Sequence, residues 1–408
     1  MNHRARPASG PIGIDAVAIA VPEAYLELRD LAAARGVEAA KYTEGLLVEA
    51  MGVAAAHEDT VALAARAAQR VLQQANVDVA DIGLCIVGTE TAVDHSKPVA
   101  AWLHRLLGLS TSCRSFETKH ACFGGTAGVL AAVDWVSSGA ARGRSALVVC
   151  SDIARYTVGG PGEPTQGAGA VALIIKEAPR LLALEVGLSG SYTKDVDDFW
   201  RPLWSKDALV DGHVSVDCYL DALAGAYGAW RAAVDDVGLH EDTDDNAIVR
   251  RCFHVPYGKM AKKAHAKLCD LRGLSDDDAA RSYALEVLPS LRLPRVVGNI
   301  YTGSLWLALA SLLETDAAAI EGRRISLFSY GSGCTAEFFC GRVVDGAGAF
   351  VQQLQLSAPL HNRRRLSVAA YEQVRADDAR LDVADLVIDA PTAAPSLRGI
   401  ANGRRRYG

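Results

Sequence analysis

The sequence predicts an α/β fold, and three observations carry that reading. Short apolar runs at Ile82 to Val87, Ala146 to Cys150 and Ala168 to Ile175 have the uninterrupted character of strands buried on both faces. Segments of helical periodicity fall between them, and such alternation places a sheet between helical layers. The strand–turn–helix unit around Cys122 is echoed around Gly298 to Leu313. The strand and glycine turn at Ala146 to Gly159 are echoed at Ile325 to Gly333, so the chain reads as two similar halves.

The 408 residues suffice for two such halves. Half are hydrophobic and only 6% aromatic, which implies an aliphatic core and Ala-rich helices. A formal net charge of −6 gives no electrostatic case for nucleic-acid binding. Nine cysteines, with no CxxC pair and no Cys/His group of metal spacing, argue for reduced thiols in a cytoplasmic protein without a metal site. No apolar stretch is long enough to span a membrane, and no basic start leads into an apolar signal-like run.

In chain order, Met1 to Gly10 reads as a frayed tail. Ile12 to Val21 is strand-like and stops at Pro22, and Leu26 to Gly36 is a helix closed by glycine. Glu58-Asp59-Thr60 opens the next helix with acids in its first turn, and that helix runs to about Ala75. The strand Ile82 to Val87 delivers Thr89-Glu90-Thr91 at its far end, and Pro98 is placed to start a helix. Ser115 to Thr118 is a strand leading into the Cys122 turn. Residues 181–245 break the rhythm and read as a helical and loop insertion between an N-terminal half, 11–180, and a C-terminal half, 246–376. In the second half Ala247 to Phe253 is strand-like, Lys259 to Leu268 helical, Val296 to Ile300 strand-like and Leu305 to Leu313 helical. A charged, then Pro- and Ala-rich tail, 377–408, ends in an arginine cluster, Arg404 to Arg406, expected to be solvated.

Chemistry concentrates in a few places. Cys122 sits on a strand-to-helix turn followed by Gly124, Gly125 and Gly128. Unpaired N–H groups at a helix N-terminus favour a thiolate, and glycines leave room for a thioester arm. A lone cysteine is more often a small buried residue, so other groups must support the nucleophilic reading. His254 follows a strand, and Pro256 keeps Val255 extended, so His254 belongs to a strand end or loop. It suits a partner for a carbonyl near that thiolate, and together with the helix terminus a source of thiolate character. Glu90, at the end of a buried strand, has restricted water and suits a base near neutral pH. Asn299 offers an amide to the same carbonyl, and Gly331-Ser332-Gly333 offers backbone N–H groups to an oxyanion. Lys259, Lys262 and Lys263 form one cationic helix face, which is either solvated or meets phosphates.

Seven ordered blocks then carry a resemblance: GTETAVDHSKP (Gly88 to Pro98), KHACFGGTAG (Lys119 to Gly128), GEPTQGAGAVA (Gly162 to Ala172), DFWRP (Asp198 to Pro202), FHVPYGKMAKKA (Phe253 to Ala264), GNIYTGS (Gly298 to Ser304) and SYGSG (Ser329 to Gly333). Over nearly its whole length the chain resembles the 3-hydroxy-3-methylglutaryl-CoA synthases, condensing enzymes of the thiolase fold. That likeness implies two similar βαβ halves in an α-β-α-β-α arrangement and a homodimer. It implies Cys122 as the acetylated nucleophile, Glu90 as general acid/base, and His254 with Asn299 as the carbonyl-binding pair. Ser332, Gly331, Asp198 and Tyr301 are implied in oxyanion or substrate binding, and the three lysines in binding the phosphate end of CoA or a carrier phosphopantetheine. No metal or cofactor is implied beyond those thioester substrates. The acceptor rides either on CoA, as acetoacetyl-CoA in a mevalonate pathway, or on an acyl carrier protein in polyketide β-branching. The alternative is a non-catalytic thiolase-fold partner that only binds acyl carriers. His120 and Phe123 depart from the family pattern beside the nucleophile, and Phe123 lacks a hydroxyl common there.

Overall fold

Nine strands join into one sheet whose order reads nearly the same from either end. The computed structural model describes residues 8, 10–238, 245–378, 381 and 383–408. The frayed tail expected at the N-terminus lies outside the described residues, apart from Ala8 and Gly10. From the first half come β1 (Ile12–Ala20), β2 (Ile82–Gly88), β3 (Arg114–Thr118), β4 (Ser145–Ala154) and β5 (Gly167–Glu177). From the second come β6 (Leu182–Thr193), β7 (Ile248–Phe253), β8 (Arg324–Gly331) and β9 (Thr335–Val343). The order is β7-β8-β9-β6-β1-β5-β4-β2-β3. β2 runs parallel to β4, while β4–β5 and β5–β1 are antiparallel. The series β7–β8, β8–β9 and β9–β6 repeats that pattern. The halves meet where Ile12 to Ile14 pair with Leu182 to Leu184.

The principal helices are α1 (Thr60–Gln74), α2 (Val99–Leu107), α3 (Gly124–Ser137), α4 (Gly212–Asp236), α5 (Gly258–Leu271) and α6 (Ser304–Asp316). α1 covers β1, β4 and β5, and α4 covers β6 and β9 in the equivalent place. α3 and α6 form the middle layer. Every residue of α6 from Ser304 to Leu313 is buried, as a helix enclosed on all sides requires. The five layers expected from the resemblance are therefore present. β4, with ten buried residues in succession, shows why the apolar runs read as fully enclosed strands. α1 begins where Asp59 accepts a hydrogen bond from the Ala62 N–H at 3.0 Å.

Three readings need correction. The segment 181–245 is no simple insertion, since β6 pairs in the main sheet and α4 packs on it; its alternation was masked by polar, exposed positions along β6. Val296 to Ile300 is not a strand. Pro294 starts a short helix over Pro294–Val297, and Gly298 then turns at φ 84°. The C-terminal residues form a small sheet of β10 (Leu386–Val387), β11 (Leu397–Ala401) and β12 (Arg404–Tyr407), with Leu397 and Tyr407 buried. Arg405 is correspondingly not a solvated terminus: it pairs with buried Asp59.

Candidate active site

Parallel β2, β3 and β4 and parallel β7 and β8 direct their C-terminal loops toward the N-termini of α3 and α6. Cys122 lies on the turn from β3 to α3. The Phe123 N–H donates to the His120 carbonyl at 2.9 Å, and Ala121 takes φ 38°, a left-handed conformation rare for a residue with a Cβ. A Cβ on Gly125 would lie 2.5 Å from both Cys150 Sγ and the Thr302 carbonyl oxygen. Gly125 thus admits neighbouring protein, where the sequence suggested space for a substrate arm.

Asp152, fully buried near the end of β4, organises the adjoining loops. Its Oδ1 accepts from the Thr89 hydroxyl at 2.9 Å, the Glu90 and Thr91 N–H groups at 2.9 Å each, and the Thr91 hydroxyl at 2.7 Å. Its Oδ2 accepts from the Thr302 N–H at 3.0 Å and from the Thr302 hydroxyl. One carboxylate therefore holds the Glu90 turn of the first half and the Asn299–Ser304 loop of the second. Sequence reading missed it, although an aspartate closing an apolar strand was a visible signal.

Glu90 Oε1 accepts from Cys122 Sγ at 3.3 Å, and Arg201 Nη2 stands 4.0 Å from Oε2. Burial, followed by the nearby Asp152 charge, raises the Glu90 pKa to about 8, against the pull of Arg201, the thiol and Lys119. Burial and then the Glu90 carboxylate push the Cys122 thiol well above the ordinary thiol range. This corrects the expected resting thiolate: the pair holds a thiol beside a carboxyl group poised between charge states near neutral pH.

His254 lies buried at the end of β7. Its N–H donates to the Phe328 carbonyl at 2.7 Å, its carbonyl accepts from the Tyr219 hydroxyl at 2.8 Å, and its ring stacks on Tyr219. Burial lowers its pKa to about 3, so the ring acts as a neutral donor. Asn299 Oδ1 accepts from the Tyr301 N–H and the Ser304 hydroxyl, each at 2.9 Å. Because an N–H must meet an acceptor, the oxygen side of the amide is assigned and its NH2 faces the other way.

The turn after β8 abuts the nucleophile turn, since a Cβ on Gly331 would lie 2.6 Å from the His120 carbonyl oxygen and the Phe123 nitrogen. Asp198 braces that turn from behind. It accepts from the Tyr330 hydroxyl at 2.6 Å and from the Gly333 N–H at 3.0 Å, with Ser332 between them. Tyr301, at φ 42°, is buried, and its ring meets that of Phe199 edge-on at 5.8 Å. Glu90 opens on a cleft of about 640 Å³ lined also by Lys119, Arg155, Arg201, Trp204 and Arg405. Lys259, Lys262 and Lys263 do not line it. They lie along α5, with Lys259 and Lys262 exposed and Lys263 half-buried.

Among the described residues, Glu23, His57 and Glu58 bring donors within metal-ligand reach of one another. The Arg66 guanidinium already supplies the positive charge there, 2.7 Å from Glu58 and 3.4 Å from Glu23. No helix among the described residues is long and apolar enough to cross a membrane.

Comparison with known proteins finds named relatives along the whole chain. The family model "Hydroxymethylglutaryl-coenzyme A synthase N terminal" matches residues 8–179, and its C-terminal counterpart matches 182–277 and 275–381. A hydroxymethylglutaryl-CoA synthase of Enterococcus faecalis is 40% identical over 397 residues, 97% of this chain and 99% of that one. A solved structure of MvaS in complex with 3-hydroxy-3-methylglutaryl coenzyme A superposes with a TM-score of 0.90 at 46% identity, covering 98% of this chain and 99% of its own. The HMG synthase of the curacin biosynthetic pathway superposes with a TM-score of 0.90 at 31% identity and the same coverage.

Proposed function

The chain belongs to the hydroxymethylglutaryl-CoA synthase family, which joins an acetyl thioester to a β-ketoacyl thioester, and we propose that Cys122, Glu90, His254 and Asn299 divide that reaction among them. Cys122 Sγ attacks the acetyl carbonyl; the new S–C bond replaces the bond to the carrier, whose thiol leaves with a proton. Glu90 takes a proton from the acetyl methyl group. The enolate oxygen is held by backbone donors near Cys122 and Ser332. The enolate carbon attacks the β-ketone of the second thioester while His254 and the Asn299 NH2 hold its oxygen. Glu90 returns its proton to that oxygen, giving a tertiary alcohol, and water releases the product and restores the thiol. A group with a pKa of about 8 suits both the taking and the giving of a proton.

The observation that carries this reading is the 3.3 Å contact between Cys122 and Glu90, which sets base and nucleophile on one acetyl group. That paired arrangement also weighs against a protein that merely binds acyl carriers. Intact-mass spectrometry after incubation with acetyl-CoA should show one added acetyl group, absent from Cys122→Ala. Acetylation of the variant at the same rate would refute the assignment.

For the carrier we propose CoA. The support is 46% identity to the structure bound to HMG-CoA against 31% to the curacin enzyme, at equal TM-scores. An acyl carrier protein is the competing carrier. Parallel assays with acetoacetyl-CoA and the same group on a carrier protein decide it. The edge position of β3 in the main sheet supports a homodimer, because a strand edge open to a neighbour is a ready pairing surface. Nine reduced cysteines support a cytoplasmic setting.

A further inference from the structure

We propose that the C-terminal strand β12 is a positioning element for Glu90, acting through Asp59 and the first turn of α1. Asp59 is 5% exposed and uses both carboxylate oxygens. Oδ1 caps α1, while Oδ2 accepts from the Tyr407 hydroxyl at 2.6 Å and from Arg405 Nη1 at 3.0 Å. The next residue, Thr60, reaches the Glu90 turn directly. Its hydroxyl donates to the Thr91 carbonyl at 2.7 Å, and its own carbonyl accepts from the Ser151 hydroxyl at 2.8 Å. Thr91 adjoins Glu90, and Ser151 adjoins the Asp152 that holds the same turn.

β12 is anchored well enough to act as a brace. Arg105 donates to the Tyr407 carbonyl at 3.2 Å, the Trp102 ring meets Tyr407 edge-on, and the Ser396 N–H beside β11 donates to the carbonyl of Gly408, just past β12, at 3.0 Å. The Arg405 side chain also lines the cleft onto which Glu90 opens. Burial works against a charged Asp59, and Arg405 is the main group opposing it. Without Arg405 and Tyr407, two of the three partners of a buried carboxylate are gone. It then takes up a proton or admits water, the first turn of α1 shifts, and the bond from Thr60 to Thr91 loosens. A base displaced by a fraction of an ångström loses its alignment with the methyl proton.

The inference rests on Glu90 being the carbon base, and its test separates the two. Arg405→Ala, Tyr407→Phe and Arg405→Lys are compared by acetylation of Cys122, by deuterium exchange into the acetyl methyl group, and by kcat and KM for condensation. In the first two variants acetylation should stay within about twofold of the native rate, while exchange and kcat fall about ten- to a hundredfold. Arg405→Lys should recover most of the loss. Normal exchange in folded Arg405→Ala and Tyr407→Phe overturns the proposal. So does a raised KM at unchanged kcat, which would make Arg405 a substrate contact, and so does equal loss of acetylation and exchange, which would mean general disruption. Glu90→Gln runs alongside. If it exchanges normally, the reading of Glu90 and this proposal both fall; if it does not and the strand variants do, only this proposal falls.

Discussion

Cys122 Sγ and Glu90 Oε1 stand 3.3 Å apart, a thiol and a carboxyl delivered by two different strands to one point. The contact lets Glu90 act on either the thiol or the acetyl group that replaces its proton. Charge separates these roles: Glu90 is the first of the carboxylates that push the Cys122 thiol up, so it opposes thiolate formation. In Glu90→Gln that opposition disappears and acetylation should persist. Condensation should fall by about 10²–10⁴, the usual worth of general acid–base catalysis. Acetyl-enzyme should accumulate, visible by mass. Loss of acetylation instead would make Glu90 the base for the thiol.

The same substitution should stabilise the fold, in a pH-dependent way. The Glu90 pKa rises from 4.5 to about 8 on folding. Between those values the unfolded chain ionises while the folded one holds its proton, so the native enzyme loses stability as pH rises through that window. The loss at pH 7 is about 3 kcal/mol at most. Glu90→Gln should therefore unfold at a higher temperature than the native enzyme at pH 8 and differ little at pH 4. An equal gain at both pH values would show that the advantage is not ionisation.

Asp152→Asn tests the link between the halves. Only N–H and O–H donors point at Asp152, and an asparagine would turn its own donors toward some of them. The cost should be about 2–5 kcal/mol, read as a lowered Tm. The variant also loses the like charge that helps raise Glu90, so the limb of the condensation rate that follows Glu90 should move to lower pH. A pH profile that stays in place would leave Asp152 a structural residue only.

Local chemistry made Cys122, Glu90 and His254 candidates in the sequence, because each sits within a contiguous strand-end or turn motif. Asp152 showed in the sequence only as an aspartate closing an apolar strand; its linking role was hidden, because its donors come from segments as far apart as Thr89 and Thr302 and no spacing rule joins them. Arg405 looked like a free terminus because its partner Asp59 lies 346 positions away. β6 was hidden by its half-exposed face, which lacks the apolar run that revealed β4. Burial, which sets the charge state of Cys122 and His254, depends on the packed layers and is not a property of either motif.

Lys259 and Lys262 are exposed on α5 and Lys263 is half-buried beside them. If they meet the phosphates of the carrier, replacing all three with Ala should raise KM by about tenfold at low ionic strength and flatten its dependence on salt, since screening has less to act on. An unchanged KM across a salt series would make them a solvated face.

Asn299 offers the cleanest test of carbonyl activation. Its Oδ1 is committed to the Tyr301 N–H and the Ser304 hydroxyl, and these hold the loop in which Tyr301 keeps φ 42°. Asn299→Asp retains that oxygen and hence the loop. It replaces the NH2 with a second acceptor, set against a ketone oxygen that gains negative charge as the carbon–carbon bond forms. His254, neutral because burial lowers its pKa to about 3, cannot compensate with a cation. Acetylation should proceed normally, and condensation should fall by about 10²–10³, the worth of one donor to a developing oxyanion. Asn299→Ala should do broader damage, because it also frees the Tyr301 and Ser304 donors. If Asn299→Asp condenses at the native rate, the amide only organises the loop, and His254 must hold the ketone oxygen alone.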